Sequence, residues 1–162
     1  MRGISGSGKS TVAKKLASKL DATLIEYDDI KSELVDVLQC DNLAPISYKI
    51  ARNLIKSNLA FGNNVIFDSL GYFEENYRKC KRLLPKEYKM VIIECKCENK
   101  EVLRRRLLNR KNIKRAQGND YESAINSIAK METIKHPHFF VLDTTKSINL
   151  AVDLVINYLE SI

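Results

Sequence analysis

An α/β fold, with helices on both faces of a parallel sheet, is predicted by three observations. Gly3-Ile4-Ser5-Gly6-Ser7-Gly8-Lys9-Ser10 spells G-x-x-x-x-G-K-S and opens directly into a helical apolar pattern of Val12, Leu16 and Leu20. Short strand signals then alternate with helical ones down the chain. Asp28, Asp68 and Asp143 close three of the strand signals, and the carboxyl ends of strands are where open α/β sheets bind ligands.

The elements follow in order. A glycine-rich loop of this kind normally follows a buried strand of about five residues. Only Met1 and Arg2 precede Gly3, so the first strand is expected to be truncated or missing. A helix then runs through Leu20, and 23–27 reads as a strand. Helices are expected over 28–38 and 45–61, the second with Ile46, Ile50, Leu54 and Asn58 or Leu59 at helical spacing. Gly62-Asn63-Asn64 ends it, and 65–68 is the next strand. A helix over 73–84 stops at Pro85, 90–94 is a short strand, and 99–110 is helical. The last strand is 139–142, and the last helix carries Ile148, Ala151, Val152, Val155, Ile156 and Leu159 on one stripe to dock on the sheet.

At 162 residues the chain is expected to form one domain, 1–162, with enough length for a core. No run approaches the ~18 apolar residues of a membrane helix. No leader is expected ahead of the loop. Cys40, Cys80, Cys95 and Cys97 do not suggest a disulfide framework in a chain this long, so reduced thiols and a cytoplasmic setting are expected. The segment 99–115 holds eight basic residues against Glu101 alone, which accounts for the whole net charge of +7. That concentration suits a local phosphate clamp better than a nucleic-acid-binding face. A nucleic-acid acceptor stays possible but is not indicated.

The loop residues point to a nucleoside triphosphate. The backbone around Gly3, Ser5, Gly6, Ser7 and Gly8 can converge its N–H groups on phosphate, with Lys9 reaching the β- and γ-phosphates. Ser10 can hold Mg²⁺, Thr11 is a further phosphate contact, and the helix dipole favours the anion. Asp28 is a candidate base for an attacking hydroxyl, or it or Asp29 is an N-cap. Lys31 either neutralises an acceptor anion or lies on a solvated face. Asp68 ends an apolar strand as a magnesium-water ligand does, or caps a turn. No acidic residue follows Asp68 directly, which tilts the reading from hydrolysis toward transfer.

In 101–110, Leu103 and Leu107 mark a buried stripe with Arg106 and Arg110 beside it. Those two are the phosphate- or base-contacting pair, and Arg104 and Arg105 are solvent charges. The segment 104–120, polar from Lys111 and containing Gly118, suits a lid that excludes water. Arg78 could meet an acceptor. His136-Pro137-His138 reads as a turn rather than a metal pair. Asp143, Thr144 and Thr145 form either a loop under adenine or an N-cap for the last helix.

With Gly3 to Thr11, Tyr27-Asp28-Asp29-Ile30-Lys31, Asn64 to Ser69, Arg106 with Leu107-Leu108-Asn109-Arg110, and Val141 to Thr145 in order, the chain resembles the small P-loop kinase-like ATPases. This is the AAA-domain group of polynucleotide kinase-like, gluconate kinase-like and zeta-toxin or chloramphenicol phosphotransferase-like proteins. The resemblance implies a three-layer P-loop NTPase fold with about five strands ordered 2-3-1-4-5, counting the strand before the loop as the first. It also implies Mg-ATP as phosphoryl donor, Asp28 as base, Arg106 and Arg110 as lid arginines, and 143–145 as the adenine loop. Lys31 stands where polynucleotide kinases have an arginine for acceptor phosphate. The expected function is transfer of the ATP γ-phosphate to a hydroxyl of a small molecule or a nucleic-acid end. The alternatives are a nucleotide-binding ATPase or switch, and an ATP-binding module without turnover.

Overall fold

In the computed structural model, residues 1–40, 42–69, 74–110 (Arg110 by its backbone) and 120–162 are described. The order along them is α1 (Lys9–Lys19), β1 (Thr23–Glu26), α2 (Tyr27–Leu38), α3 (Ala44–Ala60), β2 (Val65–Asp68) and α4 (Glu74–Lys81). It continues with β3 (Ile92–Lys96), α5 (Lys100–Arg110), α6 (Tyr121–Ala129), β4 (Phe139–Asp143) and α7 (Ile148–Glu160).

The strands form two parallel pairs. Thr23 to Glu26 of β1 sit opposite Val65 to Asp68 of β2, and Ile92 to Lys96 of β3 opposite Phe139 to Asp143 of β4. No strand precedes α1 among the described residues. Met1 and Arg2 lie between the pairs, where Arg2 makes a single parallel bridge to Glu94. Its N–H donates to Ile93 O and its carbonyl accepts from Cys95 N–H, both at 2.8 Å. On the other side the Met1 amine donates to Phe67 O at 2.8 Å, and Ser69 N–H reaches Met1 O at 3.4 Å.

Apolar spacing decides which helix faces are covered. Val12, Leu16, Ile93, Cys95, Leu142, Ala151, Val152 and Val155 form one cluster, with Ile148, Ile156 and Leu159 packed on it. The stripe expected on the last helix therefore does dock on the sheet. Ile25, Ala51, Ile55, Leu59 and Cys80 form a second cluster. Ile4, Leu103, Leu107 and Ala124 form a third, pinning α5 and α6 to the loop after Arg2. Each fully buried Leu is worth about 1.5–3 kcal/mol relative to exposure.

Several boundaries differ from expectation. Tyr27 begins α2 rather than ending β1, so Asp28 and Asp29 lie in the first helical turn. Glu26 is the N-cap, without a side-chain bond; the capping reading of the two aspartates does not hold. Their charge instead favours the positive end of the helix dipole. On α3 the buried face is Ser47, Ala51, Ile55 and Leu59, one position on from the predicted stripe, and Ile46 and Leu54 are exposed. β3 starts two residues later than expected, because pairing of Ile92 with Phe139 sets its register. Helix α4 ends at Lys81, and Phe73, its expected first residue, lies outside the described residues. Helix α6 was not anticipated.

Candidate nucleotide site

The residues from Gly3 to Gly8 form the loop that leads into α1, with Gly3 against the Cys95 carbonyl of β3 and Gly8 against Thr144 after β4; this loop is the candidate phosphate cup. Gly8 caps α1 in the left-handed region, at φ 84°. Gly6, at φ 80°, has no room for a side chain: a Cβ there would stand 2.7 Å from Leu103 Cδ1 and 3.1 Å from Leu107. The buried stripe of α5 is thus packed directly on the loop, so loop and helix fix each other.

Three side chains behind the cup are deeply buried. Ser7 and Lys9 are buried at its floor and Asp68 at the end of β2. Asp68 Oδ1 and Ser7 Oγ have no hydrogen-bond partner. An unpartnered polar atom in such a place carries a desolvation cost of about 1–3 kcal/mol, which a ligand or water would relieve. Lys9 Nζ stands 3.8 Å from Asp28 Oδ2, and Asp28 is itself more than half exposed. The structure therefore brings Lys9 and Asp28 together, with the Asp28 carboxylate open to solvent. Ser10 lies in the first turn of α1, where it is partly covered, and Thr11 is exposed.

Thr144 is the residue that ties the parts. Its side chain is fully buried, and its hydroxyl donates to Ser7 O at 2.6 Å. Lys96 O lies 3.1 Å from the same oxygen. Arg106 Nη1 donates to Thr144 Oγ1 at 2.9 Å and approaches Gly6 O at 3.4 Å, while Nη2 donates to Thr144 O at 2.6 Å. Arg106 does sit beside the Leu103–Leu107 stripe as expected, but part of its fork grips the loop and the end of β4. Arg104 packs over the Tyr121 ring, 4.4 Å from its centroid. The Arg110 side chain and residues 111–119, which include most of the expected lid and Gly118, lie outside the described residues.

Asp143 Oδ1 accepts from the Thr145 amide at 2.9 Å and from its hydroxyl at 2.5 Å. Burial alone would raise the Asp143 pKa, but the Thr145 bonds and the nearby Arg106 charge leave it below the ordinary carboxylate value. Thr145 Oγ1 in turn accepts from Glu98 N–H at 3.1 Å. The cap of α7 is Ser147, whose hydroxyl accepts from Leu150 N–H at 3.4 Å, so residues 143–145 are not that cap.

The other sequence candidates fall away from the cup or serve local structure. Arg78 pairs with Glu74 one turn back on the exposed face of α4, at 3.2 Å. His136 Nδ1 accepts from His138 N–H at 3.2 Å. Near Asp28 the structure adds a ring contact that the sequence did not show. Tyr27 stacks on Tyr48 of α3, ring centroids 4.2 Å apart, and burial pushes the Tyr27 phenol up to about 12. The Tyr48 phenol is raised further by burial, despite a hydrogen bond with Ser69 at the end of β2. Only Tyr27, next to Asp28 in sequence, carried a signal.

A glycine cup at the head of a helix, backed by a buried lysine and a strand-end aspartate, defines a P-loop α/β protein of the kinase-like kind. Residues 1–134 match the AAA_33 family model, an AAA domain, and the chain belongs to that family. No curated protein matches it. Among solved structures, a gluconokinase from Sinorhizobium meliloti is 16% identical at TM-score 0.68, over 99% of this chain and 89% of that one. The Mycobacterium tuberculosis APS kinase CysC, solved with AMPPNP and APS, is 20% identical at TM-score 0.67 over 98% and 94%. Chaetomium thermophilum Kti12, solved with ADP-AlF3, is 17% identical at TM-score 0.64 over 97% and 96%. At these identities the likeness is one of fold.

Proposed function

We propose that the protein binds ATP in the cup and transfers its γ-phosphate to a hydroxyl of a small molecule or a nucleic-acid end. The observation that carries this reading is the solvent-open Asp28 carboxylate 3.8 Å from the buried Lys9 ammonium. In this reading Asp28 is the proton acceptor and Lys9 the group that would meet the γ-phosphate. Phosphoryl transfer asks the protein mainly for positioning and charge balance, and the residues present can supply both.

In this reading the amides of Gly3, Ser5, Gly6, Ser7 and Gly8 hold the phosphates, with Lys9, Ser10 and Thr11 adding contacts from the first turn of α1. Ser10 and Asp68 fit Mg²⁺, since Asp68 offers a buried carboxylate oxygen without a partner. The ion would supply neutralisation of phosphate charge there. Asp28 accepts the proton of the attacking hydroxyl, leaving an alkoxide-like oxygen aimed at phosphorus. Arg106 braces the cup while directing its remaining donors to developing charge. Arg110 is assigned to the lid, 104–120. Thr144, held by Arg106, and Thr145, ordered by Asp143, are assigned with Asp143 to the loop under the base.

Several broader readings go with it. The two strand pairs and the Met1–Arg2 bridge are read as one sheet ordered β1, β2, bridge, β3, β4, in a single domain over 1–162. A cytoplasmic setting suits the free thiols of Cys40, Cys80, Cys95 and Cys97. No described helix is long and apolar enough to cross a membrane.

The test is a phosphate-transfer screen. Labelled ATP is offered with pooled hydroxyl compounds and with 5′-hydroxyl oligonucleotides. Acceptor-dependent label uptake that Asp28→Asn abolishes, with ATP affinity kept, supports the reading. Hydrolysis without any acceptor would move the assignment to an ATPase or switch.

A further inference from the structure

A crevice of about 770 Å³ lies on the face of β3 and β4 turned away from α1 and α7. Ile93, Cys95 and Leu142 pack with Val12 and Val152 on the α1 and α7 side. Alternation along each strand therefore turns Glu94 and Lys96 of β3, and Phe139 and Val141 of β4, to the opposite side. All four line the crevice, and the segment 131–137 forms its far wall. Among the described residues, none of the loop 3–10 lines it.

Arg2 is the deep wall. It lines the crevice although it is only 4% exposed. Its Nη2 donates to Glu132 O at 3.0 Å. Its Nε stands 3.1 Å from Glu94 Oε2 without the alignment of a hydrogen bond, and Nη1 has no hydrogen-bond partner. Glu94 does not meet that need, because its other oxygen is held by Lys96 Nζ at 3.3 Å. A buried guanidinium with an unmet donor is costly, and an oxyanion placed against it removes the cost.

The charges around it narrow the class of anion. Among the described lining residues, the cations Arg2, Lys96 and Lys135 face the carboxylates Glu94 and Glu132. Glu132 is already engaged, accepting from Glu74 N–H at 2.6 Å at the start of α4. With His136 neutral, a single positive charge is left over. One negative charge balances it, whereas a dianion would carry its second charge against Glu94. Nη1 serves one carboxylate oxygen, and the half-exposed Lys96 ammonium serves the other. The remaining wall is apolar, with Ile134, Phe139 and the half-exposed Val141.

We propose that this crevice binds a small monocarboxylate with an apolar body. Its carboxylate lies between Arg2 and Lys96, and its body covers Phe139 and Val141. The site is separate from the nucleotide cup, so the inference stands or falls independently of phosphoryl transfer.

The experiment titrates the full chain with benzoate and 4-methylpentanoate, using benzyl alcohol and phenyl phosphate as comparisons. Nitrogen–proton NMR follows the Arg2 Nε–H and the Ile134 and Val141 amides. Saturable shifts at these groups with both carboxylates are expected, at a Kd of about 1 mM or tighter. Lys96→Met is expected to weaken binding about tenfold. Benzyl alcohol should not saturate, and phenyl phosphate should bind more weakly than benzoate. Failure of both carboxylates to shift Arg2 would overturn the proposal, as would equal binding of benzyl alcohol. Tighter binding of phenyl phosphate would overturn the single-charge class. Shifts confined to the Gly6 and Gly8 amides would place the anion in the cup and also contradict the site. Should Lys96→Met fail to fold, Lys135→Met is the second variant. Weaker binding there supports the cationic rim, and unchanged binding counts against it.

Discussion

Thr144 concentrates more of the site's geometry than any acidic residue. One hydroxyl serves Ser7 O and receives Arg106, joining the cup, β4 and α5. Thr144→Val keeps the volume but leaves those polar groups buried without partners, at about 1–3 kcal/mol each. Chemical denaturation should show a loss of that order, along with weaker nucleotide binding. At Asp28 the expected effect is kinetic. Asp28→Asn should lower acceptor-dependent transfer by about 10²–10⁴-fold, while nucleotide Kd changes little. Cys95 gives a pH signature. Its thiol is buried, which pushes its pKa up to about 12 from the 9.0 of an ordinary thiol. Between those values the folded chain keeps a proton that the unfolded chain releases. Stability therefore falls as pH rises above about 9, by at most about 1.4 kcal/mol per pH unit. Denaturation curves at pH 8, 9 and 10 should show this slope, and Cys95→Ala should flatten it.

The elements show how far periodicity reaches. The glycine loop, β2 and the Leu103–Leu107 stripe were legible because each is fixed by residues near in sequence. Where packing between distant segments decides, the sequence misled. Met90 and Val91 read as strand by hydrophobicity, yet pairing of Ile92 with Phe139 moves β3 to Ile92–Lys96. Helix α6 is only nine residues long and follows a polar run, so its face of Ala124, Ile125 and Ile128 was too brief to stand out. Its start is marked by Asp120, whose carboxylate accepts from Ser123 N–H at 2.7 Å. The contact between α5 and the loop carries its own prediction. Gly6→Ala forces a Cβ to 2.7 Å from Leu103 Cδ1 at φ 80°, so it should weaken nucleotide binding and lower Tm together. The double variant Gly6→Ala with Leu103→Ala relieves that contact but not the backbone strain at φ 80°, so it should recover nucleotide binding only in part and stability less, since removing a buried Leu costs about 2–5 kcal/mol.

At the scale of the whole molecule, the order of parts along the chain pointed to the family, and the fold brings Lys9 to Asp28 and Arg106 to Thr144. The acceptor was not legible; contacts such as the Tyr27–Tyr48 stack join separate helices and have no fixed spacing in the sequence. What unites the scales is the cup formed by residues 3–10, with Lys9 and Asp68 behind it. Titration calorimetry with MgATP tests that most directly. A saturable one-to-one heat, lost in Lys9→Ala and reduced by Asp68→Asn or by removal of magnesium, is the predicted result. A folded protein that gives no heat with MgATP, or binds it equally well without Lys9, would contradict it.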